Sequence, residues 1–185
     1  GRVLVCDRNG HTSTLHAERV LLAVGSRPHH PDHVDFSHSS IVDSTSILEL
    51  ERMPRSLVVV GGGVIGSEYA SIFAEMGVHT TVIEPRSTLM RFLDEECRDV
   101  LVEEMTRSGI DLLFGTETRA VHPMASGAEV ELTDGTRVAA EVVLWTLGRE
   151  GNTNRLGLET VSIQPNDRGL LTVDASFRTS CPGIW

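Results

Sequence analysis

The run Leu57–Glu84, LVVVGGGVIGSEYASIFAEMGVHTTVIE, leaves the chain fewer choices than any other. Leu57–Val60 is a short apolar run of the kind shown by strands buried on both faces. It breaks at Gly61-Gly62-Gly63-Val64-Ile65-Gly66, after which helical spacing begins. Ile65, Tyr69, Ile72, Phe73 and Met76 recur at three- and four-residue steps, which predicts one buried helix face, and Gly77 is placed to end that helix. Val78–Ile83 is rich in β-branched residues and reads as a second strand, with Glu84 at its carboxyl end.

Each residue type in this turn has a chemical reason. Gly61 permits the tight turn, Gly63 lets the backbone come close to a pyrophosphate, and Gly66 lets the helix pack tightly on the strands. A pyrophosphate would rest on the free N–H groups and positive dipole end of the helix that starts near Val64. Glu84 stands eighteen residues beyond Gly66, where an acid can accept hydrogen bonds from both ribose hydroxyls of an adenosine. The same glycines would also suit a turn that only packs a helix on a sheet. The flanking strands and the spaced acid favour dinucleotide binding.

Charge narrows the partners. Sixteen basic and twenty-six acidic side chains give a net charge of −10, with no Lys/Arg block to offset it, so neither nucleic acid nor an anionic membrane is an expected partner. No apolar run reaches the roughly 18 residues of a membrane span, and the N-terminal residues do not form a signal peptide, so the expected setting is cytoplasmic. Cys6, Cys97 and Cys181 are far apart and form no CxxC, which reads as three reduced thiols.

Around this centre the chain divides by pattern. Arg2–Cys6 and His11–His16 flank Asp7-Arg8-Asn9-Gly10 and predict a hairpin, and Glu18–Val24 predicts a further strand that stops at Gly25-Ser26-Arg27-Pro28. His29–Ser40 reads as an exposed connection. Its four histidines, His29, His30, His33 and His38, lack the spacing of a metal site and are expected to be solvated. Ser44 or Ser46 could cap a short helix through Leu50. A second helix is predicted from near Asp94, buried through Val100, Leu101 and Met105 and closed by Ser108-Gly109, with a third parallel strand at Asp111–Phe114. Thr118–His122, Ala128–Leu132 and Arg137–Ala139 predict an antiparallel meander laid over the sheet. Glu141–Trp145 returns to the core and places Gly148 at the carboxyl end of a strand, where ligands of open α/β sheets collect. Beyond Glu150 a helical turn around Asn154–Leu156 and two weak strands are expected. The chain starts without methionine, which suggests a piece of something longer.

Together these residues resemble the two-dinucleotide-binding-domain flavoprotein oxidoreductases, also called the pyridine nucleotide-disulfide oxidoreductases. Glu18–Pro28, ERVLLAVGSRP, is similar to the strand that completes their FAD domain. Leu57–Glu84 is similar to their NAD(P) fingerprint, Val142–Arg149 to their strand ending in glycine-arginine, and Gly169–Trp185 to the segment before their second FAD motif. The resemblance implies an α/β fold, a Rossmann-like parallel sheet with an antiparallel β-meander, inserted in an FAD domain. It divides the chain into a first FAD-domain segment at 1–28, a connection at 29–42, the NAD(P)-binding domain at 43–149, and a return segment at 150–185.

Within the family, IVDSTSIL at Ile41–Leu48 and GREGNT at Gly148–Thr153 are most similar to the Si-specific transhydrogenase branch. That implies NAD(H), NADP(H) and FAD as cofactors, hydride transfer between the two nicotinamide dinucleotides through the flavin, and a homodimer formed by a C-terminal domain. Carried over by position, the cofactor contacts are Gly61, Gly63, Val64, Ile65, Gly66, Glu68, Glu84, Arg86, Gly148 and Gly25. Val64 falls beside the nicotinamide and flavin, Glu68 at the carboxamide, and Gly25 at the FAD adenosine. No residue is implied as a general acid or base.

Glu84 pulls against this reading. A carboxylate about 4 Å from a 2′-phosphate costs roughly 1 kcal/mol in water and at most about 4 when partly shielded. The resulting preference for NAD(H) is roughly tenfold to a thousandfold. Arg86 or Arg91 could pair with the phosphate and offset part of it. The alternatives are a dihydrolipoamide dehydrogenase or related disulfide reductase, and a stand-alone module that binds NAD(H) without turnover.

Overall fold

The computed structural model describes all residues, Gly1–Trp185, and divides them into two compact units, Pro28–Gly148 and a second made of Gly1–Arg27 with Arg149–Trp185.

The Pro28–Gly148 unit is built on a five-stranded parallel sheet. Its members are β4 (Ile41–Asp43), β5 (Ser56–Val60), β6 (His79–Glu84), β7 (Asp111–Phe114) and β11 (Val142–Trp145), in the order β4-β11-β5-β6-β7. The apolar run at the centre is buried on both sides because alternate side chains feed two cores. Leu57 and Val59 pack with Ala70, Phe73 and Met105 under helices α1 (Val64–Glu75) and α2 (Glu95–Arg107). Val58 and Val60 pack with Val121, Val130 and Leu132 under a three-stranded antiparallel meander, β8 (Thr118–Met124), β9 (Gly127–Leu132) and β10 (Arg137–Ala140). The expected α/β architecture is present, with the meander over one face of the parallel sheet.

Four local expectations need correction in this unit. Helix α1 buries Gly66, Ser67, Ala70 and Phe73, while Ile72 and Met76 stay exposed. Small side chains let its axis approach the strands, so closeness and not side-chain size chose the inner face. Helix α2 turns Met105 inward and leaves Val100 exposed. The stretch His29–Ser40 is more than an exposed connection. Val34 is buried in the meander-side core, the His30 ring stacks on Phe36, and His30 Nε2 lies 2.6 Å from Asp43 Oδ2. Neither serine caps the turn at Ser46–Glu49. Asp43 Oδ1 does so, accepting from the N–H groups of Thr45 and Ser46, and these bonds hold its carboxyl below the ordinary carboxylate range although burial pushes the other way.

The second unit holds the expected hairpin, β1 (Arg2–Cys6) with β2 (Thr12–His16), in register from Arg2 opposite His16 to Cys6 opposite Thr12. Glu18–Val24 does not become a strand. Its backbone pairs only at Val20 and Leu22, with Gly183–Trp185, and a strand needs a partner along its whole length. Ser26–Pro28, expected to end regular structure, forms β3 and pairs with β12 (Arg149–Gly151). Asn154–Leu156 is a plain turn, and the helical turn comes later, at Leu158–Val161, because Gly157 with φ +64° breaks the path between them. The two weak strands expected in the last segment are not formed. No helix of either unit is long and apolar enough to cross a membrane.

Candidate functional site

The site is a glycine turn at the carboxyl end of β5, flanked by the ends of β6 and β11. Gly61 has φ +111°, a conformation that side chains resist, and an added Cβ would lie 2.8 Å from Thr146 Oγ1. A Cβ on Gly66 would collide with the Gly61 carbonyl oxygen, so this glycine is demanded by the approach of α1 to the turn. Gly63 differs from both. It has ordinary extended geometry, and nothing lies within 4 Å of where its Cβ would stand.

That open space lies at the N-terminus of α1. Gly63 is the N-cap and supplies no side-chain cap, so the first-turn N–H groups have no capping side chain. A twelve-residue helix ending in open space over a glycine is a ready cradle for a phosphate group. Val64 is 44% exposed, and Glu68, one turn on, is exposed on the same face, where Ile72 and Met76 continue the stripe. Ile65 is half-buried behind them.

The other two strand ends frame the turn. Gly148 has φ +94°, and its carbonyl accepts from His29 N–H at 3.1 Å. Glu84 is turned inward. Its Oε2 accepts from Gly62 N–H at 2.7 Å and its Oε1 from Arg86 N–H at 3.0 Å, while the Arg86 guanidinium extends outward. Gly25 belongs to the second unit. It has φ +71°, its carbonyl accepts from Asn152 N–H, and the Asn152 side chain donates to the Val24 carbonyl.

Two residues of the Pro28–Gly148 unit went unnoticed in the sequence. Thr146 Oγ1 lies 2.9 Å from the Val60 carbonyl oxygen and 3.0 Å from that of Gly61, fastening the turn to the end of β11. Leu89 is fully buried, and a Cβ on Gly62 would overlap it. A threonine directly after an apolar strand is a weak signal, and Leu89 sits in an irregular segment with no period to read. The four histidines do not gather, and no group of three His, Cys, Asp or Glu side chains could hold a metal ion. Cys6 and Cys97 are exposed and Cys181 is half-buried, all as free thiols.

The sequence model of the pyridine nucleotide-disulphide oxidoreductase family matches residues 1–185. The chain belongs to this family. Among curated relatives, it is 41% identical over 182 residues to the soluble pyridine nucleotide transhydrogenase of Pseudomonas entomophila, covering 98% of this chain and 39% of the relative. It is 42% identical over 177 residues to the soluble pyridine nucleotide transhydrogenase of Marinobacter nauticus, covering 96% and 38%. The chain thus spans about two fifths of the length of these family members. Among solved structures, LpdA of Mycobacterium tuberculosis superposes with a TM-score of 0.92 at 32% identity, over 98% of this chain and 40% of that one. The HOCl-induced flavoprotein disulfide reductase RclA of Escherichia coli superposes at 0.88 with 26% identity, over 100% and 42%. The proteins that this chain is similar to include ones named for pyridine nucleotide transhydrogenation and one named for disulfide reduction, so the fold alone does not choose between them.

Proposed function

We propose that this chain is the NAD(P)-binding region of an FAD-dependent pyridine nucleotide oxidoreductase that transfers hydride between NAD(H) and NADP(H). The observation that carries the reading is the 41% identity over 98% of the chain to a transhydrogenase, above the 32% and 26% to LpdA and RclA. The net reaction is NADPH + NAD⁺ → NADP⁺ + NADH. In this reading residues 43–149 form the dinucleotide domain, 1–28 and 150–185 are segments of the flavin domain, and 29–42 connects them. The parent is a cytoplasmic homodimer with neither a nucleic acid nor a membrane partner.

The residues act by position. Gly63 and the first turn of α1 receive the pyrophosphate, Gly61 and Gly66 keep that turn tight, and Val64 and Glu68 stand toward the nicotinamide with Ile65 backing them. Gly148 borders the ligand from β11, and the Arg86 guanidinium offers a charge partner for a 2′-phosphate. FAD, when bound, supplies the chemistry of accepting and donating hydride. Gly25 fits a close backbone contact to such a nucleotide, since only Asn152 Nδ2, at 3.9 Å, comes near its open side.

The second reading, a disulfide reductase, draws on the superposition with the flavoprotein disulfide reductase RclA. The test is to purify the full-length parent with its flavin and follow hydride transfer from NADPH to an NAD⁺ analogue of distinct absorbance. Transfer is the expected result. Reduction of a disulfide substrate without nucleotide exchange would replace the first reading with the second.

A further inference from the structure

The chain has four asparagines, Asn9, Asn152, Asn154 and Asn166, and only Asn9 is followed by glycine. It stands exposed in the turn of the β1–β2 hairpin, where its N–H donates to Asp7 Oδ1 at 2.8 Å and its side-chain amide makes no hydrogen bond. Two of the other three are anchored. Asn152 Oδ1 accepts from the Arg27 guanidinium at 3.0 Å and its Nδ2 donates to the Val24 carbonyl at 3.1 Å, while Asn166 Oδ1 accepts from the N–H groups of Arg168 and Leu170. Asn154 precedes Arg155, whose side chain hinders attack by the next backbone nitrogen. Gly10 brings no such hindrance, for nothing lies within 4 Å of where its Cβ would stand. One bond restrains its nitrogen, the N–H to the Asp7 carbonyl at 3.1 Å. The sheet that keeps this bond has only two strands, and every strand residue except Val3 is exposed. Such a hairpin is marginal in water, so the turn opens and releases the nitrogen.

We propose that Asn9 is a site of spontaneous covalent modification, deamidation through a cyclic imide with water as the co-reactant. The Gly10 nitrogen attacks Asn9 Cγ. A bond between that nitrogen and Cγ forms, the bond from Cγ to Nδ2 breaks, and ammonia leaves with the proton that the Gly10 nitrogen gives up. Water then opens the ring at either carbonyl. Opening at Cγ leaves aspartate on the ordinary main chain, and opening at the Asn9 carbonyl carbon leaves isoaspartate, with the main chain routed through the side chain. Nothing is oxidised or reduced, and the net change is asparagine plus water to acid plus ammonia. Either product sets a second carboxylate near Asp7, which already accepts from the N–H groups of Asn9 and His11 and lies 3.2 Å from His11 Nδ1. The two carboxylates repel each other. Isoaspartate also lengthens the main chain of the turn by one atom, which disturbs the pairing of Cys6 opposite Thr12, the strand pair next to the turn.

The test is to hold the whole chain in mildly alkaline buffer, folded and in denaturant, and to follow its proteolytic peptides by mass spectrometry. The peptide holding Asn9 is expected to gain the mass that replaces an amide by an acid, to separate into aspartyl and isoaspartyl forms, and to convert faster than the peptides holding the other three asparagines. Because a marginal hairpin opens at little cost, its rate in the folded chain is expected to lie within about tenfold of its rate in denaturant. Asn9→Gln, whose longer side chain would have to close a six-membered ring, is expected to stop the conversion at this position. The NMR contact between Cys6 and Thr12 is expected to weaken as isoaspartate accumulates. An Asn9 peptide that converts in denaturant but stays intact in the folded chain overturns the proposal. So does faster conversion at Asn152, Asn154 or Asn166 in the folded chain.

Discussion

The Pro28–Gly148 unit and the unit made of the two ends use similar residues to opposite effect. In the first, Leu57–Val60 and Val142–Trp145 are wholly buried between two helices on one face and a meander on the other. In the second, Leu21 is 75% and Phe177 74% exposed, with Leu4, Leu15 and Leu170 open as well, and among its large apolar side chains only Leu158 and Ile163 are buried. What separates them is layering. A sheet covered on both faces can bury every residue of a strand, whereas within these 185 residues the hairpin and the two-stranded ribbon carry no second layer. Stability should therefore concentrate in the unit that carries the glycine turn.

The sharpest way to break that contrast is at Gly66. Gly66→Ala puts a methyl group into the Gly61 carbonyl and is expected to destabilise the Pro28–Gly148 unit by about 3 kcal/mol or more, read by denaturant unfolding. Leu144→Ala, in the helix-side core, is expected to cost about 2–5 kcal/mol in the same measurement. A loss below about 1 kcal/mol in either variant would mean that the two-faced core is not tightly packed.

A pH test on the same unit is smaller in effect. Arg55, through its side chain and its N–H, and then Arg52 hold the Glu141 carboxyl at about 2, below an ordinary 4.5. Because the folded-state value is depressed, the stability this group contributes is fully present above pH 4.5 and is lost as pH falls toward 2. Glu141→Gln is expected to flatten the acid limb of the stability curve in that window, and an unchanged limb would contradict the pairing. The smallest effect belongs to the second unit. Phe177→Ser is expected to change unfolding by no more than about 0.5 kcal/mol, since the ring is exposed.

Legibility in the sequence followed the same division. The strand, turn, helix and second strand from Leu57 to Glu84 could be read because each has its own period and its own glycine, and the meander because of its alternation and turn residues. The inner face of α1 was misread because hydrophobic periodicity weighs large side chains, while Gly66, Ser67 and Ala70 make the close approach. Glu18–Val24 looked like a strand because it is apolar, and its partners, which set the outcome, are not a property of the run itself. At the site, the residue types were visible, but the direction in which Glu84 points was not. That depends on Gly62, Arg86 and Leu89, brought together by the irregular segment after β6.

Gly63 offers the most direct test of the central claim, that the open turn before α1 holds a dinucleotide. Its Cβ position is empty and its backbone is ordinary, so Gly63→Val should keep the fold, at a cost of about 1 kcal/mol for the poorer N-cap, while filling the cradle. NADH binding to this chain and to the variant should be measured by calorimetry. Saturable one-to-one binding is expected, and Gly63→Val is expected to weaken it by about a hundredfold or more, a loss of roughly 2.7 kcal/mol. Equal affinity in the two proteins, or no binding to the unsubstituted chain, would contradict it.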